Sequence, residues 1–123
     1  GIYRGLVKKN KGVLPMDAEK VLVIKKIRQY LNELRKHNIT VEKAYLYGSY
    51  ANAKGNYHEF SDIDIAIISK DFEGRWFADR DRIVPLRRHI DVRIEPMPYR
   101  PEDFTDSDPL AVEVMATGEE IKI

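Results

Sequence analysis

Residues 61–69 read SDIDIAIIS, and this run constrains the fold of the chain more than any other. Isoleucine at this density crowds a helical turn but packs well on a pleated sheet, so the segment is expected as a buried strand. Side chains two apart on a strand share a face. Asp62 and Asp64 therefore point to one side, and Ala66 and Ile68 continue that side as apolar. The two carboxylates are expected at the end of a buried strand, not along a wet one.

The rest of the chain supplies the layers for such a strand. After Pro15, Asp17 can N-cap a helix running to about His37, with Val21, Ile24, Ile27, Leu31 and Leu34 as its apolar stripe. Residues 41–47 (VEKAYLY) then read as the first core strand, which delivers the chain to Gly48-Ser49. A short helix is expected over residues 50–54 and a turn over 70–74. Residues 75–89 are helical in part, with Pro85 expected to kink or shorten the helix. Residues 89–95 (HIDVRIE) form a further apolar-rich strand, stopped by Glu95-Pro96-Met97-Pro98. Asp108-Pro109 opens a last helix through Met115, Gly118 caps it, and residues 120–123 add an edge strand. The order α-β-α-β-α-β-α-β defines a small α/β domain, a mixed β-sheet flanked by helices, over residues 17–123. Residues 1–16 precede it as a basic arm.

At 123 residues the chain is expected to form one domain, and 43% apolar with 33% charged residues is a globular composition. The longest fully apolar run, residues 21–24, is far too short to cross a bilayer, so no membrane role is expected. The absence of cysteine excludes a disulfide framework and a thiolate metal site, and fits a cytoplasmic protein. A net charge of +1 provides no general attraction to nucleic acid, which is not an expected partner. The charge is nevertheless uneven, with ten Lys/Arg against three Asp/Glu in residues 1–40. Such a segment beside an acidic body suits contact with a second copy, so a homodimer in isolation, or a complex with a helical partner, is expected.

Asp91 lies on the strand expected over residues 89–95. If that strand pairs beside the first, Asp91 reaches the face of Asp62 and Asp64. Three carboxylates so close repel one another unless a cation holds them, and oxygen-only ligation suits Mg²⁺ or Mn²⁺. Gly48-Ser49, at the end of a strand, reads as a phosphate-binding turn: Gly48 lets backbone approach without a Cβ, and the Ser49 hydroxyl and nearby N–H groups can bind phosphate oxygens. His37, His58 and His89 have no metal-ligand spacing. Arg75, Arg80, Arg82, Arg87 and Arg88 interleave with Asp79 and Asp81 and read as a solvated helix with local ion pairs.

The run Gly48-Ser49-Tyr50-Ala51, then Ser61-Asp62-Ile63-Asp64, then Asp91 on a later strand resembles the nucleotidyltransferase superfamily that includes DNA polymerase beta. It looks closest to the minimal nucleotidyltransferases, which are little more than a catalytic core. Members usually carry Arg or Lys and then Gly directly after Gly-Ser-x-Ala, whereas here Asn52-Ala53 precede Lys54-Gly55. The resemblance implies a polymerase beta-like fold and transfer of a nucleoside monophosphate, most often AMP from ATP, to an acceptor hydroxyl. Asp62, Asp64 and Asp91 would then hold two Mg²⁺ ions, with Asp91 also the best general-base candidate, while Gly48 and Ser49 cradle the nucleotide. It further implies a small helical HEPN-type protein as partner, adenylylated by a transferase acting as antitoxin. The alternative is a non-catalytic antitoxin or regulatory subunit that masks its partner.

Overall fold

The computed structural model of the protein describes residues 15–51 and 61–123. Residues 1–14 of the basic arm, Asn52-Ala53, Lys54, Gly55 and His58 lie outside them, while residues 15 and 16 of the arm belong to the first helix.

Helix α1, Pro15–Lys36, starts before the expected cap at Asp17. Its buried stripe is Val23, Ile27, Tyr30, Leu31 and Leu34. Val21, expected in that stripe, is 64% exposed. Stepping back from Ile27 by one helical repeat of four reaches Val23, not Val21, so the true stripe obeys i, i+4, i+7, i+8 spacing more closely than the expected one. The helix ends as expected at His37-Asn38. Asn38 takes a left-handed φ of 68°, and the Ile39 amide donates back to the Leu34 carbonyl at 3.0 Å, satisfying a carbonyl of the last turn.

The chain then builds β1 (Lys43–Tyr47), a 3₁₀ turn (Gly48–Ala51), β2 (Ile63–Ile68), α2 (Trp76–Ile83), a second 3₁₀ turn (Val84–Arg87) and β3 (Ile94–Tyr99). A third 3₁₀ turn (Pro101–Asp103), α3 (Pro109–Thr117) and β4 (Glu119–Glu120) complete it. The sheet order is β3-β2-β1-β4. The β1 strand runs antiparallel to both β2 and β4, whereas β2 and β3 are parallel and joined through α2. The alternating order expected from sequence holds except that the chain forms a 3₁₀ turn at Gly48–Ala51 where a short helix over residues 50–54 is expected, and the edge strand is Glu119–Glu120 instead of residues 120–123. Pro85 does divide the helical stretch at the start of the second 3₁₀ turn.

The strand expected over residues 89–95 is displaced. Asp91 sits in a turn closed by the Ile94 amide donating to the Asp91 carbonyl at 3.2 Å, and β3 begins at Ile94. It then runs straight through the two prolines expected to stop it. Because β3 is an edge strand, the missing N–H groups of Pro96 and Pro98, two residues apart, both fall on the open side. That open edge is covered instead by arginines: Arg80 Nη1 donates to the Pro96 carbonyl at 2.9 Å and Arg87 Nη1 to the Ile94 carbonyl at 2.6 Å.

Alternation along the strands makes two cores. Ile63, Ile65, Ile67, Ala44, Leu46 and Ile94 face α1 in one continuous cluster. Ala66, Ile68 and Tyr99 face α3 with Ala111 and Val114, joined by Tyr45, Tyr47, Met97 and Phe104. The latter face also carries Asp64, in phase with Ala66 and Ile68.

Candidate functional site

Asp64 stands opposite Tyr47 on β1 and opposite Glu95 on β3. It is half-buried, and burial first, then the charges of Asp62 and Glu95, hold its carboxyl above the ordinary carboxylate range. Asp62 lies one step beyond the strand, exposed. The expected pair is therefore at the end of a buried strand. Its charged neighbour from β3 is Glu95, a residue that sequence reasoning took for a strand terminator.

Gly48 joins this group from β1. Its φ of +73° is in the left-handed region, and a Cβ there would run into the Asp64 carboxylate. Any other residue at this position would push the turn off Asp64. Ser49 follows, half-buried, within the same 3₁₀ turn. The structure thus sets Gly48 against Asp64, with Ser49 next in the turn and Asp62 two residues before Asp64 at the strand end. Tyr47 adjoins them, its hydroxyl pushed up to about 12 by burial and then by the charges of Asp64 and Glu113.

Asp91 is the exception among the predicted residues. Being in the turn before β3, it lines a cavity on the α1 side together with Glu19, Leu22, Val23, Lys26 and Arg93. Its carboxylate accepts from the Arg93 side chain at 2.9 and 3.1 Å and from the Arg93 amide at 2.9 Å. Burial alone would raise the Asp91 carboxyl, but the Arg93 bonds outweigh it and hold the group below the ordinary range. The expectation that Asp91 shares a face with Asp62 and Asp64 is therefore corrected. Both the later start of β3 and this dedicated cation turn it toward α1.

Glu95 has cations of its own. Arg80 Nη2 reaches its carboxylate at 3.4 Å and Arg87 Nη1 at 3.1 Å. The expected local pairing of the arginines with Asp79 and Asp81 is replaced by this one. Asp79 is buried and instead accepts from the Glu73 and Gly74 amides at 2.8 and 2.9 Å, fixing the turn before α2. The signal that could have identified Glu95 was the spacing Ile94, Pro96, Pro98, which has period two and marks a proline-tolerant edge strand with Glu95, Met97 and Tyr99 on its other face.

As the side chains stand, no three His, Asp or Glu among the described residues gather closely enough to hold a metal ion. The chemistry of the donor set nevertheless fits one. Asp62, Asp64 and Glu95 offer only hard oxygens, and the raised Asp64 carboxyl is a half-buried charge surrounded by like charges. Among the described residues no helix is long and apolar enough to cross a membrane.

The nucleotidyltransferase-domain family profile matches residues 24–109, and the chain belongs to that family. A Sulfolobus solfataricus crystal structure, whose description as a nucleotidyltransferase is provisional, is similar at 21% identity and a TM-score of 0.57. The match covers 74% of this chain and 79% of that one. Comparison with curated proteins finds no match. The fold is thus the polymerase beta-like nucleotidyltransferase fold, as the resemblance implied, and nucleotidyl transfer is its general chemistry.

Proposed function

We propose that the protein is a metal-dependent nucleotidyltransferase that moves AMP from ATP to a hydroxyl of a partner molecule, with Asp62, Asp64 and Glu95 as its carboxylates. The observation that carries this reading is the placing of Gly48 against Asp64, which joins a backbone turn rich in N–H groups to a half-buried acidic cluster. Neither half is useful alone. An acidic cluster repels a triphosphate, and a turn without a counter-charge binds phosphate without polarising it.

In this reading Asp62, Asp64 and Glu95 would hold Mg²⁺ or Mn²⁺, two ions being expected, which supplies charge neutralisation at the attacking and leaving oxygens. Gly48 and Ser49 bind the phosphate oxygens and fix the triphosphate relative to Asp64. The acceptor oxygen bonds to the α-phosphorus as the bond to pyrophosphate breaks, and the hydroxyl proton leaves to solvent water. Glu95 takes the position that the sequence assigned to Asp91. Asp91 itself, its basicity lowered by Arg93, is a poor choice for the general base it was expected to be. The acceptor is proposed to come with a second subunit, either a helical HEPN-type protein in an antitoxin pair or another copy of the chain.

One observation favours the non-catalytic alternative: Glu95 is already paired with Arg80 and Arg87. A masking subunit could keep that pairing permanently, whereas a transferase must release it. ATP labelled at the α-phosphorus separates the two. A transferase passes the label to an acceptor in a lysate in the presence of Mg²⁺, and does not pass a γ-label. A masking subunit is stabilised by its partner and labels nothing. Melting that is indifferent to Mg²⁺ and ATP over a wide concentration range, with no label transferred, would end the catalytic reading.

A further inference from the structure

We infer that Asp91, Arg93 and Tyr50 form a positioning cluster that sets the phosphate turn against the carboxylate strand. The inference rests on the nucleotide-site reading above and deepens it.

Arg93 is attached to both halves of the site. Its carbonyl accepts from the Ile63 amide at 2.9 Å, and Ile63 lies between Asp62 and Asp64. Its side chain reaches the other half: Arg93 Nη1 donates to the Tyr50 hydroxyl at 3.0 Å, and the guanidinium lies 6.0 Å from the centre of the Tyr50 ring. Tyr50 is fully buried and follows Ser49 directly in the 3₁₀ turn. Its hydroxyl in turn donates to Glu19 on α1 at 3.1 Å. The Ser49 turn and the carboxylate strand are therefore held to one residue, the strand to its carbonyl and the turn to its side chain.

Asp91 keeps that side chain in place. Its two oxygens grip the Arg93 fork, and such paired, charge-assisted bonds fix the plane of a guanidinium as a lone contact cannot. Lys26 Nζ donates to the Ile90 carbonyl at 3.0 Å, tying the same turn to α1. Cluster and site lie on opposite faces of the sheet, so Asp91 acts on the nucleotide through Arg93 and Tyr50 without touching it. Holding the buried Tyr50 ring by its hydroxyl to both Arg93 and Glu19 makes the position costly to shift, since a displaced hydroxyl would lose those bonds away from water.

The test compares Asp91→Asn, Tyr50→Phe and Asp64→Asn with the wild type. ATP affinity is measured in Mg²⁺ and Mn²⁺ affinity is measured without nucleotide, all well below each melting temperature. Tyr50→Phe keeps the ring in the core and removes only the hydroxyl, so it remains informative if Asp91→Asn folds poorly. The expected result is a loss of ATP affinity of about tenfold in both cluster variants, the scale of one charge-assisted hydrogen bond, with Mn²⁺ affinity unchanged. Asp91→Glu should recover part of the loss. Asp64→Asn should lose Mn²⁺ binding. If Asp91→Asn loses Mn²⁺ binding as Asp64→Asn does, Asp91 is a ligand and the inference is overturned while the site reading stands. Unchanged ATP affinity in both cluster variants also overturns it. A wild type that binds neither ATP nor Mn²⁺ overturns both readings.

Discussion

The two faces of the sheet treat their acidic residues in opposite ways. On the α1 face Asp91 has a dedicated guanidinium, and its carboxyl is held low by those bonds. On the α3 face Asp64 has other carboxylates for neighbours, and burial and their charge hold it high. The apolar packing follows the same division. The α1 face is a continuous cluster around Ile27, Leu34, Ile65 and Ile67, whereas the α3 face is smaller, relies on partly buried Tyr45 and Tyr47, and carries Asp64. The α1 face thus pairs its Asp91 with a cation, and the α3 face leaves Asp64 beside other carboxylates, although Glu95 on that face is paired with Arg80 and Arg87. A site that must receive cations and phosphate cannot complete its own electrostatics beforehand.

The largest effect that would break this comparison is on transfer. Asp64→Asn, which alters no buried volume, is expected to lower label transfer at least a hundredfold, on the order of the loss when one charge-stabilising group is removed from an active site. Far-ultraviolet circular dichroism should remain that of the folded protein. Transfer at the wild-type rate would mean that the α3 face is not the reactive one.

Truncation of the α1 face should be costly in a different currency. Ile65→Ala removes a fully buried branched side chain from the continuous core, and a loss of about 2–5 kcal/mol is expected in urea unfolding. Met97→Ala, at a half-buried position on the α3 face, should cost less, below about 2 kcal/mol, because its surroundings are already partly hydrated. Equal losses would show that the two faces do not divide stability as their packing suggests.

Removing the ligand sharpens the contrast further. Mg²⁺ with ATP should raise the melting temperature of the wild type by mass action, and ATP at a hundred times its dissociation constant corresponds to about 2.7 kcal/mol. A chelator should erase that shift. In Ile65→Ala the same increment is expected on a lower baseline, while in Asp64→Asn it should vanish. A shift that survives in Asp64→Asn would move the ligand away from the acidic cluster.

The α1 face was the more legible in sequence, and the reason is physical. Period-two alternation in residues 63–68 and helical spacing in α1 are enforced by burial, so they are written as residue types. The register of α1 was still misread at Val21, because Val23 and Tyr30 carry the stripe and a tyrosine does not announce itself as core. Asp62, Asp64, Gly48 and Ser49 were legible because strand geometry and a left-handed turn dictate their neighbours. Glu95 was not. Its role depends on where β3 begins, and that start is set by a turn whose ion pair, Asp91 with Arg93, looks in sequence like ordinary i, i+2 strand neighbours. The prolines after Glu95 were read as breakers because a sequence does not announce which strand will lie at an edge.

The smallest effect tests the comparison through its signs. Asp91 has a lowered carboxyl in the folded state, so its ionised form stabilises the fold; that contribution is present above its unfolded value near pH 4 and is lost as pH falls through the folded one. Asp64 has a raised carboxyl, so the fold binds its proton more tightly than the unfolded chain does. Its contribution is therefore full below the unfolded value and is lost as pH rises through the folded one. In chelator, Asp91→Asn should be less stable than wild type at pH 7 and approach it only as the pH falls below about 4. Asp64→Asn should be more stable than wild type at pH 7, by about 0.5 kcal/mol for relief of a like-charge pair across neighbouring strands, and should lose that advantage at higher pH than Asp91→Asn recovers, as the pH falls through the raised Asp64 value toward about 4. Melting temperatures of the three proteins measured from about pH 2.5 to 7 should therefore fan out as pH rises, with the two variants on opposite sides of the wild type. Variants that fall on the same side would mean that the two carboxylates sit in electrostatically similar surroundings, and the division of labour between the faces would fail with them.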